Sequence, residues 1–129
     1  MDLQNNFPED FYKYLEDNTL IEIKGGTKGN KFLEIWMVNV NGRVFARTWA
    51  KSERSWFNSL IEEEVGEIKY NGKVIKIGAV RNNDPEINKL IDNAYLQKYN
   101  QPENIKYAKG ITQKEYSEYT VELFYKDPD

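Results

Sequence analysis

Two stretches rich in apolar residues, 32–40 and 43–49, meet at the polar pair Asn41-Gly42. That pair is the preferred filler of a two-residue type I′ turn, so the pattern predicts a β-hairpin with a fixed register. Val40 then faces Arg43, Val38 faces Phe45, Trp36 faces Arg47 and Glu34 faces Trp49, all on one side of the sheet. The opposite side carries Leu33, Ile35 and Met37 against Ala50, Thr48 and Ala46, apolar and small enough for a tight barrel interior. The first side is the unusual one, because it mixes tryptophan, arginine and glutamate.

A second hairpin is predicted around Asn71-Gly72, with Tyr70 facing Lys73, Ile68 facing Ile75 and Glu67 facing Lys76. Helical spacing predicts a helix over 8–16, with Phe11, Tyr12 and Leu15 on one side. It predicts another over 53–65, with Ser52 as N-cap, Trp56/Leu60 and Phe57/Ile61 as apolar pairs, and Gly66 closing the end. Asp84-Pro85 opens the clearest helix, which runs to Tyr99-Asn100 with Ile87, Leu90, Ile91, Ala94 and Tyr95 as its buried stripe and with Asp92 and Lys98 in solvent. A short helix over 102–109 and strands over 19–24 and 118–125 complete the reading. In the last strand Tyr119, Val121, Leu123 and Tyr125 share a face. The expected fold is α+β, mainly β with helices: one domain over 1–129, a small antiparallel split β-barrel of about six strands with flanking helices.

Composition removes chemistry more than it adds any. The 129 residues carry a net charge of −3, which argues against a nucleic-acid partner. With neither cysteine nor histidine, the chain offers no disulfide, thiolate nucleophile, serine–histidine triad or conventional zinc site. No apolar run approaches the roughly 20 residues that span a bilayer, and the acidic N-terminal residues Asp2, Glu9 and Asp10 do not read as a secretory signal. The expectation is a soluble cytoplasmic protein. Glu62, Glu63 and Glu64 fan out around a helix, so they cannot converge on one reacting centre. The loop 25–31, rich in glycine and lysine, lacks P-loop spacing and leads into a strand, so it is no dinucleotide fingerprint. It reads as a flexible loop, or as a flap whose Lys28 or Lys31 touches a ligand.

The segment 47–56, Arg47-Thr48-Trp49-Ala50-Lys51-Ser52-Glu53-Arg54-Ser55-Trp56, remains. Here a cationic strand end runs into a helix start, whose unpaired amides and partial positive charge suit a phosphate. Arg47, Lys51 and Arg54 add charge, Thr48 and Ser52 add hydroxyl donors, and Trp36, Trp49 and Trp56 offer stacking surface to a flat ring. The same residues admit a structural reading, in which Arg47 stacks on Trp36 opposite and is neutralised by the diagonal Glu34.

Two stretches carry a resemblance. Val38-Asn39-Val40-Asn41-Gly42-Arg43-Val44-Phe45-Ala46-Arg47-Thr48, followed by Arg54-Ser55-Trp56-Phe57, is the first. Ile91-Asp92-Asn93-Ala94-Tyr95-Leu96-Gln97-Lys98-Tyr99 is the second. Over about 11–124 the chain resembles a bacterial family of uncharacterised proteins, domain-of-unknown-function family 2255. That family is similar to the flavin-binding split-barrel superfamily, which includes pyridoxamine-phosphate oxidases and deazaflavin-dependent nitroreductases. Ser52-Glu53-Arg54 resembles the Ser-x-Lys motif that holds the flavin phosphate in the oxidases, with arginine for lysine. The resemblance implies a cofactor, FMN or a deazaflavin, whose phosphate touches Arg47, Thr48, Ser52 and Arg54, and an oxidoreductase-like role with no catalytic residue named. The alternative is a cofactor-free binding or dimerisation module, a homodimer for example, using an exposed Trp36/Phe45/Arg47/Trp49 face.

Overall fold

A computed structural model of the chain describes residues 3–4, 7–27, 31–48 and 55–126. The first half contains β1 (Leu3–Gln4), α1 (Glu9–Asp17), β2 (Ile21–Gly25), β3 (Leu33–Ile35), β4 (Met37–Val40) and β5 (Arg43–Arg47). The second half contains α2 (Ser55–Glu63), β6 (Val65–Tyr70), β7 (Lys73–Arg81), α3 (Pro85–Lys98), α4 (Ile105–Ile111), α5 (Lys114–Ser117) and β8 (Thr120–Lys126). The strands form one antiparallel sheet in the order β3-β2-β6-β7-β8-β5-β4, and β1 adds to β8. Trp36 alone separates β3 from β4. The two ends of the sheet are therefore tied through one residue, and the sheet curls into a nearly closed barrel, the α+β split barrel expected from the pattern.

Both hairpins form in the predicted register. Val40 lies opposite Arg43 and Val38 opposite Phe45. Tyr70 lies opposite Lys73, Ile68 opposite Ile75 and Glu67 opposite Lys76. The turn residues Asn41, Gly42, Asn71 and Gly72 all have positive φ, as a type I′ turn requires. The first ladder nevertheless stops at Met37 opposite Ala46. Glu34 pairs with Glu22 of β2, and Trp36 lies in neither ladder, so the expected partnership of Trp36 with Arg47 does not form; the one expected between Glu34 and Trp49 falls on a residue outside the described ones. This break at Trp36 is where the barrel splits.

Two cores result. Inside the barrel Ile21, Ile23, Met37, Val44, Ala46, Ile68, Ile77, Val121 and Leu123 meet Phe11 and Leu15 of α1 and Trp56, Phe57 and Leu60 of α2. Outside it, Val38, Val40 and Phe45 are covered by Ile91 and Tyr95 of α3, by Tyr99 just past its end, and by Ala108 and Ile111 of α4. Asp84 caps α3 as expected, its Oδ1 accepting from the amides of Glu86 and Ile87. The stripe of α3 is narrower than predicted, because Leu90 is exposed. Gly66 does not close α2. Glu64 takes the left-handed conformation at φ 63°, and Gly66 already lies in β6. Among the described residues no helix is long and apolar enough to cross a membrane.

Gly66 has a different task, shared with its cross-strand partner Gly25. A Cβ at Gly25 would run into the main-chain carbonyl of Trp56, and one at Gly66 would lie 2.6 Å from Leu60 Cδ2. The two glycines thus let the Trp56/Leu60 side of α2 lie directly on the β2–β6 pair. Gly25→Ala is expected to lower stability by about 1–3 kcal/mol, since backbone and not a flexible side chain must yield. A urea denaturation midpoint unchanged by this substitution would contradict the close seating of α2.

Candidate functional site

Arg47, the last residue of β5, turns outward beneath α3, and its side chain is fully buried. All five N–H donors of its guanidinium are engaged. Nε donates to Thr120 Oγ1 (2.9 Å) and Nη1 to Asp92 Oδ1 (2.5 Å) and the Ile111 carbonyl (3.2 Å). Nη2 donates to Asn88 Oδ1 (3.2 Å) and to the Asn88 carbonyl (3.5 Å). Tyr95 accepts the Arg47 amide through its hydroxyl (2.9 Å), and its ring lies 5.7 Å from the guanidinium carbon. Arg47 therefore has no donor left for a phosphate, which corrects its assignment as a cofactor ligand. It does not stack on Trp36 or pair with Glu34 either. It is the bolt between β5, β8, α3 and α4.

Asp92 and Lys98, expected in solvent, are also fastening groups. Asp92 holds Arg47, and Lys98 Nζ donates to the Met37 carbonyl at 2.7 Å. Tyr99 Oη accepts the Met37 amide (3.0 Å) and donates to the Thr19 carbonyl (2.8 Å). Ladder hydrogen bonds alternate along a strand, so with Val38 and Val40 bonded to β5 the amide and carbonyl of Met37 face away from it. Lys98 and Tyr99 thus cap the exposed edge of β4, which would otherwise offer a free template for another strand. Tyr99→Phe, which orphans the buried Met37 amide, is expected to cost about 1–3 kcal/mol in a denaturation measurement.

These groups set an alkaline signature. Burial lowers Lys98 to about 8 and raises the buried Tyr95 and Tyr99 phenols well above the usual range. The penalty of holding a charged Lys98 is fully present below pH 8 and relieved as pH rises toward the ordinary 10.5. The tyrosines contribute stability that is present below the ordinary phenol value of 10.0 and lost above it, because the unfolded chain ionises first. Melting temperature is therefore expected to rise between pH 8 and about 10 and to fall beyond it. A monotonic fall from pH 8 would contradict this assignment.

At the split, where β3 departs from β4, lies a hollow of about 200 Å³. Its walls are Ile35 and Trp36 at the break, Arg47 at the end of β5, Trp56 of α2 and Ile111 of α4, with Leu20, Glu34 and the half-exposed Tyr107 also lining it. One face of Trp36 is stacked on Tyr99, with centroids 3.9 Å apart and planes 7° from parallel. Trp56 sits edge-on to Phe57 and is 6% exposed. Arg47 and Trp56 bracket the cationic segment in the chain, so the hollow stands between its two ends.

Of the predicted ligands, Arg47 is fully paired and Trp56 lines the hollow. Thr48 turns to the opposite face from Arg47, the barrel side of Val44 and Ala46, and is completely buried. Its amide bonds the Tyr119 carbonyl (3.3 Å), while its hydroxyl has no partner among the described residues. Lys51, Ser52 and Arg54, together with Trp49, lie outside the described residues. Two of the four residues proposed for an interaction face, Phe45 and Arg47, are buried beneath α3 and α4, which corrects the expectation that they are exposed. Asn88, Asp92, Lys98 and Thr120 were not singled out as site residues. The signal for Asn88 and Asp92 is the run 88, 92, 95, 99 of polar tips along one side of α3 and its C-terminal end, next to the apolar stripe; Lys98 and Thr120 lie outside that run.

Residues 16–123 match the family described as "Uncharacterized protein conserved in bacteria (DUF2255)". Among curated proteins none matches the chain. Similar solved structures include the crystal structure of the conserved hypothetical protein Rv2991 from Mycobacterium tuberculosis, at 12% identity and a TM-score of 0.58. That match covers 95% of this chain and 82% of the other. At such identity the likeness is one of fold.

Proposed function

We propose, for a chain that belongs to the bacterial family DUF2255, that it binds a flavin-type cofactor, FMN or a deazaflavin, and serves as an oxidoreductase. Trp36 and Trp56 would hold the ring system, and Thr48, Lys51, Ser52 and Arg54 the phosphate. The carrying observation is the hollow at the barrel split, walled by two tryptophans and lined by Arg47 and Trp56, the two ends of the cationic segment in the chain. Thr48 is not among the residues lining the hollow, but its buried hydroxyl has no partner among the described residues, which costs about 1–3 kcal/mol that an acceptor oxygen reaching it would offset. At about 200 Å³ the hollow is smaller than the roughly 300–1,000 Å³ of pockets that enclose a whole ligand. It suits a ligand of which the barrel encloses only a part. The bound cofactor would supply the electron or hydride transfer, while the chain supplies binding, orientation and an apolar wall against water.

The test is titration of the protein with FMN and with a deazaflavin, followed by quenching of tryptophan fluorescence. Saturable quenching is expected, and Arg54→Ala should weaken the affinity by about tenfold or more through loss of a charge-assisted contact. Absence of quenching with either compound would remove the proposal.

A further inference from the structure

A second concavity lies away from the split, between α1, β4 and α3. This groove of about 570 Å³ has an apolar floor of Leu15, Val38 and Ala94, with Glu16, Asn39 and Lys98 among its polar borders. Its size falls within the range of small-molecule sites. Lys98 enters it from the last turn of α3, half-buried and without an ion pair among the described residues. We propose that Lys98 is a covalent attachment site for a small neutral aldehyde or ketone, which the groove holds as an imine.

The geometry supports this reading in three ways. The Met37 carbonyl fixes the amine at 2.7 Å, so one N–H is anchored and the nitrogen is held in place. The apolar floor suits a short hydrocarbon body. Glu16, exposed on α1, is the carboxylate among the groove's lining residues and disfavours a 2-oxo acid. The other titratable groups nearby are the phenols of Tyr12, which donates to the Gly42 carbonyl, and Tyr99, which is committed to Thr19 and Met37. β4 presents only Val38 and Asn39. Burial keeps a larger share of Lys98 as free amine than an exposed lysine has.

In the step itself, the lone pair of neutral Nζ bonds to the carbonyl carbon, and the π pair of the carbonyl moves to oxygen, which takes a proton. The nitrogen gives up one proton to solvent to leave the carbinolamine, whose hydroxyl takes up a proton and departs as water while the nitrogen pair forms the C=N bond, and the iminium then releases its N–H proton to solvent. Amine and carbonyl give imine and water, and neither oxidant nor reductant takes part.

The experiment treats the full chain at pH 7 with propanal and cyanoborohydride, which traps the imine, and locates propylated lysines by peptide mass spectrometry. Lys98 is expected to react at least about tenfold faster than the exposed Lys13 and Lys76, with a rate that rises through pH 8. In Ala94→Leu, which fills the groove floor, its labelling should fall about tenfold while that of Lys13 and Lys76 stays the same. Glyoxylate in place of propanal should label Lys98 less. Reaction of Lys98 no faster than Lys13 would overturn the proposal. Fast labelling that ignores Ala94→Leu would do so equally, because the amine would then be reactive without a site.

Discussion

Arg47→Met is expected to destabilise the protein by about 3–5 kcal/mol. Methionine roughly fills the space but returns none of the five donated hydrogen bonds. Asp92 is a third exposed and can turn to water. Thr120 Oγ1 and the Ile111 carbonyl lie at the buried joint of β8, α4 and β5 and lose their donor outright. Since domains of this size are stable by only about 5–15 kcal/mol, the loss should move the urea midpoint far while leaving the slope unchanged. Arg47→Lys should recover part of the loss through Asp92 alone, a single point charge being unable to serve four partner residues. A phosphate ligand at this position would behave differently, weakening cofactor binding with little change in stability. Near-native denaturation of Arg47→Met would reinstate it as a ligand.

Phe45→Glu is expected to do still more damage. Phe45 is completely buried between the outer face of β5 and the helix α3, with the Arg43 guanidinium 5.3 Å from its ring centroid. Removing the ring forfeits about 3–5 kcal/mol of packing, and a carboxylate there must be desolvated as well. Arg43 cannot readily compensate, because it already holds Glu122 through two hydrogen bonds of 2.9 and 2.7 Å. The variant should therefore be largely unfolded by circular dichroism. A folded variant whose sole change is from dimer to monomer would restore the exposed interaction face that the structure replaces with a buried core.

What could be read in the sequence was set by neighbours. The Asn-Gly turns, their registers and the Asp84-Pro85 helix start depend on residues within a few positions of one another, and each formed as expected. The alternation of β8, with Val121 and Leu123 inward, was legible for the same reason. The role of Arg47 was not, because its partners Asp92 and Thr120 lie 45 and 73 positions away. An arginine beside tryptophans in a strand looks alike whether it waits for a ligand or for a helix. The break at Trp36 was hidden too. No glycine or proline marks it, and the strand pattern runs straight through. It is held by contacts to Tyr99 and by the caps that Lys98 and Tyr99 place on Met37. The expected ligands Lys51, Ser52 and Arg54 fall outside the described residues.

The proposed cofactor site is tested most directly by comparing the affinities of riboflavin and riboflavin phosphate for the unmodified protein. A ring held by Trp36 and Trp56 and a phosphate held by the segment 48–54 predict that both compounds bind. The phosphate should gain at least about tenfold, an advantage that shrinks as salt is raised. Equal affinity, or binding of neither, would contradict the site.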